Sequence, residues 1–165
     1  MIVHQNSYFS VNLNDDYYTI SFSTEQVVVL PVVDNNYILF IEAIRPVFEK
    51  PVIELPAGTV DEGETLEEAA LRELGEETGI NIADKNRLKP LCSLNTIPSR
   101  TSQMLNIYQA DVTMDEYEIR NAHDHEVAKT LLLTIDQVIQ KIQSGEIFVA
   151  TTVAVCLNHI ISNSQ

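Results

Sequence analysis

Glu73, Glu76 and Glu77 crowd behind Arg72, with Glu64 just upstream, in the stretch GTVDEGETLEEAALRELGEETGI that occupies positions 58–80. On a helix, residues three and four apart are neighbours, so Glu73 meets both Glu76 and Glu77, and each like-charge pair costs roughly a few tenths of a kcal/mol. A divalent cation reverses that sign. Hard carboxylate oxygens suit Mg2+ or Mn2+, and Mg2+ takes only one or two carboxylates while water and substrate phosphate complete its octahedron. The spacing predicts a metal held for phosphate chemistry. Glutamate-rich composition alone would describe a solvated, charged helix, so the placement of these acids on the helix decides between the two.

Thr65 and Glu68 form a capping-box signature, Gly79 suits a helix stop, and the positions between, 66–78, are rich in Ala, Leu and Glu. At roughly 100° per residue, Leu66, Glu73 and Glu77 share an azimuth, Ala70 lies beside them and Glu76 is the next carboxylate round. The acids therefore sit on the apolar side, where a solvated helix would not put them. Before this helix, residues 1–16 read as polar and irregular, and 17–23 (YYTISFS) alternates like a half-buried edge strand. Positions 26–33 and 37–44 are apolar, largely β-branched runs about the turn Asp34-Asn35-Asn36, a buried hairpin, and 52–55 is a short strand ending at Pro56-Ala57-Gly58. Behind the helix, 88–95 and 103–112 read as strands, 113–126 as an acidic loop with at most one helical turn, and 127–133 as the last strand. Thr134 caps a helix carrying Ile135, Val138, Ile139 and Ile142 and ended by Gly145. A final helix over 151–161 would turn Val153, Leu157, Ile160 and Ile161 to the core. The order predicts an α/β fold with a mixed sheet packed between helices.

A chain of 165 residues with 45% hydrophobic content suits one domain. A formal charge of −14 leaves no basic stripe for a polynucleotide, although small phosphates stay accessible if metal ions offset the carboxylates. No apolar run approaches the roughly 20 residues of a membrane span and no signal-peptide pattern opens the chain, so a soluble, cytoplasmic protein with no membrane partner is expected. Cys92 and Cys156 stand in apolar contexts and are expected to be buried free thiols.

Gly58, Glu64, Arg72-Glu73-Leu74, Glu76-Glu77 and Gly79-Ile80 match G-x5-E-x7-R-E-U-x-E-E-x-G-U at every position, U being a bulky aliphatic. This resembles the Nudix hydrolase signature. Ile44-Arg45-Pro46 and Glu54-Leu55-Pro56-Ala57-Gly58, which lead into it, look like the ADP-ribose and nucleoside-diphosphate-sugar pyrophosphatase branch. The resemblance implies a Nudix-type α/β/α sandwich forming a single domain over 1–165, with 1–25 as a strand or hairpin extension at the interface of a homodimer. It implies Mg2+- or Mn2+-dependent hydrolysis of the pyrophosphate bond in a small nucleoside diphosphate derivative. Glu73 and Glu77 are then the leading metal ligands and Glu76 a ligand or water-positioning carboxylate. Glu64 is a supporting carboxylate near the metals, Ala57 lends its carbonyl to the metal shell, and Arg72 orients the glutamates. Gly58 supplies a tight bend and Gly79 the helix stop. Arg45 contacts phosphate, with Glu54 and Arg100 as further substrate-binding residues. The acidic loop would supply a catalytic carboxylate, Glu126 first, with Asp124, Glu118 and Glu116 behind it, while His123 and His125 read as exposed loop residues. The segment 96–100 lacks the glycine turn usual in the branch, which weakens ADP-ribose specifically, and Pro98 stands where diadenosine polyphosphate hydrolases favour tyrosine; nucleoside triphosphates or dinucleoside polyphosphates are the alternative substrates. A ligand sensor without turnover is the alternative outside catalysis.

Overall fold

A computed structural model describes residues 1–163 of the chain. The strands β1 (Ile2–Gln5), β2 (Phe9–Asn14) and β3 (Tyr17–Phe22) form an antiparallel three-stranded sheet in that order. Seven strands follow in a second, mixed sheet: β4 (Gln26–Val33), β5 (Tyr37–Ala43), β6 (Val52–Glu54), β7 (Ala57–Thr59), β8 (Leu88–Pro90), β9 (Leu105–Val112) and β10 (Val127–Thr134). Its helices are α1 (Leu66–Thr78), the short α2 (Met114–Glu118), α3 (Ile135–Gln143) and α4 (Ala150–Asn163).

The path of the large sheet is β10-β5-β4-β9-β8, and its centre explains the continuous apolar runs. Val27, Val29 and Val33 face α1 with Leu39, Ala69, Ala70 and Leu74, whereas Val28, Leu30 and Val32 face α3 and α4 with Phe40, Val138, Val155 and Cys156. Both faces of β4 are covered, so its sequence shows no alternation. The expected sandwich of helices on a mixed sheet is the architecture found.

What positions the site is a split in this sheet. β4 and β5 pair only at the hairpin tip, Val32 with Ile38 and Val33 with Tyr37, and then diverge. The segment that follows fills the gap from both sides: β6 pairs with β5 at Ile41 to Ala43, and β7 pairs with β4 at Gln26 to Val28. β9 stays parallel to β4 along its whole length.

Several expectations change. Residues 1–16 are not irregular: Phe9, Val11 and Leu13 alternate with polar residues along β2 in register with β3, a period that the polar composition obscures. The strand expected over 88–95 shrinks to β8 and an isolated bridge from Leu94 to Leu105. The acidic loop does hold the helical turn expected in it, α2, whose Thr113 and Glu116 form a capping box. On α4 the buried side is Thr152, Val155 and Cys156, with Val153 and Ile160 partly buried, while Leu157 and Ile161 are exposed. The helix is rotated because Thr152, a polar residue, is drawn inward by accepting from the Leu55 N–H at 3.3 Å. Cys156 is buried, which pushes its thiol up to about 12, but Cys92 is exposed, its sulfur accepting from Asn158 Nδ2 at 3.3 Å. Among the described residues no helix is long and apolar enough to cross a membrane.

Candidate functional site

The split opens into a cleft of about 570 Å3 whose lining draws on several elements. Val27 and Val28 come from β4, Arg45 and Glu54 from the ends of β5 and β6, Ala57, Gly58 and Thr59 from β7, and Glu73, Glu76 and Glu77 from α1. Asp124 and Glu126 complete it from the loop before β10.

α1 is fixed at both ends, by the Thr65–Glu68 capping box and by Gly79 in the left-handed conformation at φ 78°. It presents Glu73 and Glu77 inward, 8% and 6% exposed, beside Ala70 and Leu74. Glu76 sits on the rim with its side chain 51% exposed. β7 carries Gly58 directly under Glu73, where a Cβ would lie 1.9 Å from Glu73 Oε1. The sequence assigns Gly58 to a tight bend, but its φ is not positive; what it provides is room for a carboxylate.

Arg72 holds this cluster together. Its guanidinium donates to Glu64 at 3.0 Å, Glu73 Oε1 at 2.7 Å, Glu76 Oε2 at 3.1 Å and the Thr59 carbonyl at 2.8 Å. The hydrogen bonds from Arg72 hold the Glu64 carboxyl below its ordinary range. Glu73 is raised instead, because burial outweighs Arg72. Burial raises Glu77 from 4.5 to about 8, and the nearby charges of Glu73 and Asp124 add to this against the Ala57 N–H and Arg45. Ala57 meets Glu77 through that N–H, which donates to Oε2 at 2.8 Å.

The end of β5 brings Arg45 to the same cleft, paired with Glu54 at 2.9 Å and with its side chain 33% exposed. The acidic loop arrives by main-chain docking. The Asn121 N–H donates to the Gly79 carbonyl at 2.9 Å, the Asp124 N–H to the Glu76 carbonyl at 2.8 Å, and the Ile44 N–H to the Glu126 carbonyl at 2.8 Å. A Cβ on Gly79 would stand 2.0 Å from the Asn121 carbonyl oxygen, so this glycine admits the loop as well as ending the helix. Both Asp124 and Glu126 thereby reach the cleft.

The remaining expected residues fall elsewhere. Glu64 supports the cluster through Arg72 without lining the cleft. Arg100 is carried away from it: its guanidinium donates to the Tyr18 carbonyl at 3.0 Å and lies 4.9 Å over the Tyr17 ring, tying β3 to the segment before β9. Glu116 forms a paired contact with Arg87 at 2.6 Å and is lowered to about 2 by it, outside the cleft. Thr152 and Gln26 also line the cleft, and neither lies in a sequence pattern that marks a site.

The donor set fits a hard divalent cation. It consists of oxygen ligands, two of them buried carboxylates whose charge burial disfavours, with glycine clearing the space beside them. Among the described residues no three acidic, imidazole or thiol groups converge closely enough to hold an ion alone. A cation here would complete its shell with water, main-chain oxygen and substrate phosphate, which is the habit of Mg2+.

Residues 23–151 match the NUDIX domain family. Over 126 residues the chain is 29% identical to the ADP-ribose pyrophosphatase of Bacillus subtilis (strain 168), covering 76% of this chain and 66% of that protein. It is 30% identical over 127 residues to the methanol dehydrogenase activator of Bacillus methanolicus, covering 77% and 67%. The match thus spans only about two thirds of the length of these relatives. A crystal structure of an ADP compounds hydrolase superposes over 99% of this chain and 92% of its own with a TM-score of 0.71; at 19% identity this likeness speaks for the fold alone. With the whole sheet, α1 and the acidic loop inside the matched residues, the chain belongs to the Nudix family.

Proposed function

We propose that the chain hydrolyses the pyrophosphate bond of a nucleoside diphosphate linked to a second group, ADP-ribose or another nucleoside diphosphate sugar, yielding a nucleoside monophosphate and a sugar phosphate. The observation that carries this reading is the buried pair Glu73 and Glu77 lining the same cleft as Arg45. Anionic oxygens entering there meet a cation on one side and a metal-binding surface on the other.

Glu73 and Glu77 would hold Mg2+ or Mn2+, with Glu76 at the rim and the Ala57 carbonyl as further oxygen donors. Such a cation supplies charge stabilisation on the phosphoryl oxygens and acidifies a bound water. Arg72 keeps the Glu73 and Glu76 carboxylates oriented. Arg45 exchanges its partner Glu54 for a substrate phosphate, to which a guanidinium can donate in pairs. Glu126 or Asp124, at the end of a loop pinned to α1, accepts the proton of the attacking water.

A single domain over 1–165 is our reading, and the bonds of Tyr17 to the Ser99 carbonyl and of Arg100 to the Tyr18 carbonyl, which join β3 to the segment before β9, support it. A homodimer fits the exposed Ile2, Val3, Tyr8, Tyr17 and Phe22 of the small sheet. The test is turnover of ADP-ribose, GDP-mannose, UDP-glucose, NADH, diadenosine polyphosphates and nucleoside triphosphates with Mg2+ and with Mn2+. Release of a nucleoside monophosphate from a nucleotide sugar is the expected result. Cleavage confined to triphosphates or dinucleoside polyphosphates would replace this reading with a housecleaning one, and no cleavage at all would leave a ligand sensor.

A further inference from the structure

The loop between β5 and β6, residues 44–51, brings Arg45 to the cleft and has few ties of its own. Apart from Arg45, every residue in it is exposed. The Ile44 N–H donates to the Glu126 carbonyl at 2.8 Å, and the Phe48 N–H donates back to the Arg45 carbonyl at 3.0 Å, closing a four-residue turn. Pro46 is the second residue of that turn, where its fixed φ stiffens the bend. Among the described residues the side chains of the loop make one ion pair, Arg45 with Glu54, and one ring contact, Phe48 with Phe148. The two phenyl rings lie with centroids 5.7 Å apart and planes inclined at 59°, within the tilted range in which aromatic pairs attract.

Phe148 belongs to a better-anchored segment, the link from α3 to α4. Its neighbour Ile147 is buried with Leu30, Phe40 and Val138, and the Ile147 N–H donates to the Lys141 carbonyl at 3.0 Å. On its other side Val149 lines the cleft, and its carbonyl accepts from the Val153 N–H at 2.9 Å at the start of α4. The rings of Phe148 and Phe48 are nonetheless 52% and 49% exposed, so neither serves the core. Their contact joins the Arg45 turn to the root of α4.

That contact gains weight when a phosphate arrives. In the free protein Glu54 holds the guanidinium of Arg45, but a phosphate that takes the place of Glu54 also removes that tether. Of the two side-chain ties on the loop, only Phe48 with Phe148 is then left. We propose that Phe148 is a positioning residue for Arg45: by gripping Phe48 it holds the Arg45–Phe48 turn in place, so that the guanidinium can exchange Glu54 for a substrate phosphate without the loop drifting from the cleft. The inference rests on the reading of Arg45 as a phosphate ligand and goes beyond it by naming what keeps Arg45 in reach.

The test combines hydrogen exchange with steady-state kinetics on the full chain. Phe148→Ala should speed exchange of the Phe48 amide while β5 and β6 keep their protection. It should also raise KM for ADP-ribose about threefold to tenfold, the factor that one aromatic pair can supply, with kcat within about twofold of the parent. Phe148→Tyr, which keeps the ring, should restore both. In an Arg45→Ala background Phe148→Ala should add nothing to KM, because a residue that acts through Arg45 has no effect once the guanidinium is gone. Unchanged exchange at Phe48, a fall in kcat with KM unmoved, or a KM effect that persists in full beside Arg45→Ala would overturn the assignment. The two readings fail separately. If the parent cleaves no nucleotide sugar, the hydrolase reading falls and the same cycle is read from the affinity for ADP by calorimetry, whose diphosphate Arg45 would still meet; absence of ADP binding as well would remove both.

Discussion

The two walls of the cleft each carry an arginine, and the arginines are used differently. Arg72, on α1, is saturated, with Glu64, Glu73, Glu76 and the Thr59 carbonyl around one guanidinium. Arg45, just beyond the end of β5, has one ion-pair partner among the described residues, Glu54, and one third of its side chain exposed. A guanidinium has five N–H donors; when four groups already occupy them it can orient its neighbours and do little else. A guanidinium with a single partner can trade that partner for an incoming phosphate. The α1 wall is thus built to hold its own acids still, and the β5–β6 wall to meet something from outside.

The most severe way to break the α1 wall is Glu77→Gln. The amide keeps the volume of the side chain and can still accept from the Ala57 N–H through its oxygen, so folding should be nearly unchanged. It removes a metal-binding charge, and turnover should fall by about 10²–10³-fold or more. Activity within a few-fold of the parent would take Glu77 out of the metal site and leave the wall a mere structural cluster.

The contrast itself is tested by truncating both arginines. Arg72→Ala strands Glu64 and Glu73, whose side chains are only 15% and 11% exposed, and should cost roughly 2–4 kcal/mol of stability together with a tenfold to hundredfold fall in kcat. Arg45→Ala leaves only Glu54 behind. It should cost about 1–2 kcal/mol and act on KM more than on kcat, with partial recovery in Arg45→Lys, which restores charge but not paired donation. If the two variants show the same split between kcat and KM and the same stability loss, the division of labour between the walls is wrong.

What is legible in the sequence follows the same division. The α1 wall can be read from it, because its chemistry lies in one helix whose period and caps are local: the capping box, the Gly79 stop and the inward placement of Glu73 and Glu77 are all present in the fold. The opposing wall is assembled by topology. Nothing in residues 119–126 announces that their main chain docks on Gly79 and Glu76, so Asp124 cannot be told from Glu116, which the fold assigns to Arg87 instead. Arg100 carries no local mark of its destination either. It follows a proline turn just as a substrate-facing arginine would, yet Tyr17 and Tyr18 of the small sheet take it up. Gly58 stands where its signature puts it but for a different reason, since the need for a missing Cβ becomes visible only with Glu73 beside it. Strands β1 and β2 escape a reading of the sequence because they are held by main-chain hydrogen bonds and by side chains that are exposed in β1 and only partly buried in β2, which leave a weak apolar signal.

The subtlest difference between the walls is in their response to pH. In the metal-free protein Glu77, at about 8, is protonated at neutrality, and Glu73 is shifted in the same direction by burial. For an acid whose folded value lies above its unfolded value of 4.5, the stabilising contribution of the neutral form is complete below 4.5 and fades as pH rises through about 8. With a chelator present, the melting temperature should therefore fall between pH 6 and pH 9. Glu77→Gln should flatten that fall, because it removes the group that must ionise. Adding Mg2+ should reverse the trend: the ion binds the deprotonated carboxylate, so the stabilisation it brings should be larger at pH 9 than at pH 6. Arg45→Ala should leave the sign of this response unchanged, since Arg45 is a minor influence on Glu77 beside burial. A metal-induced shift of equal size at both pH values would show that Glu77 does not give up a proton to the ion, and the α1 wall would lose its distinction from the other.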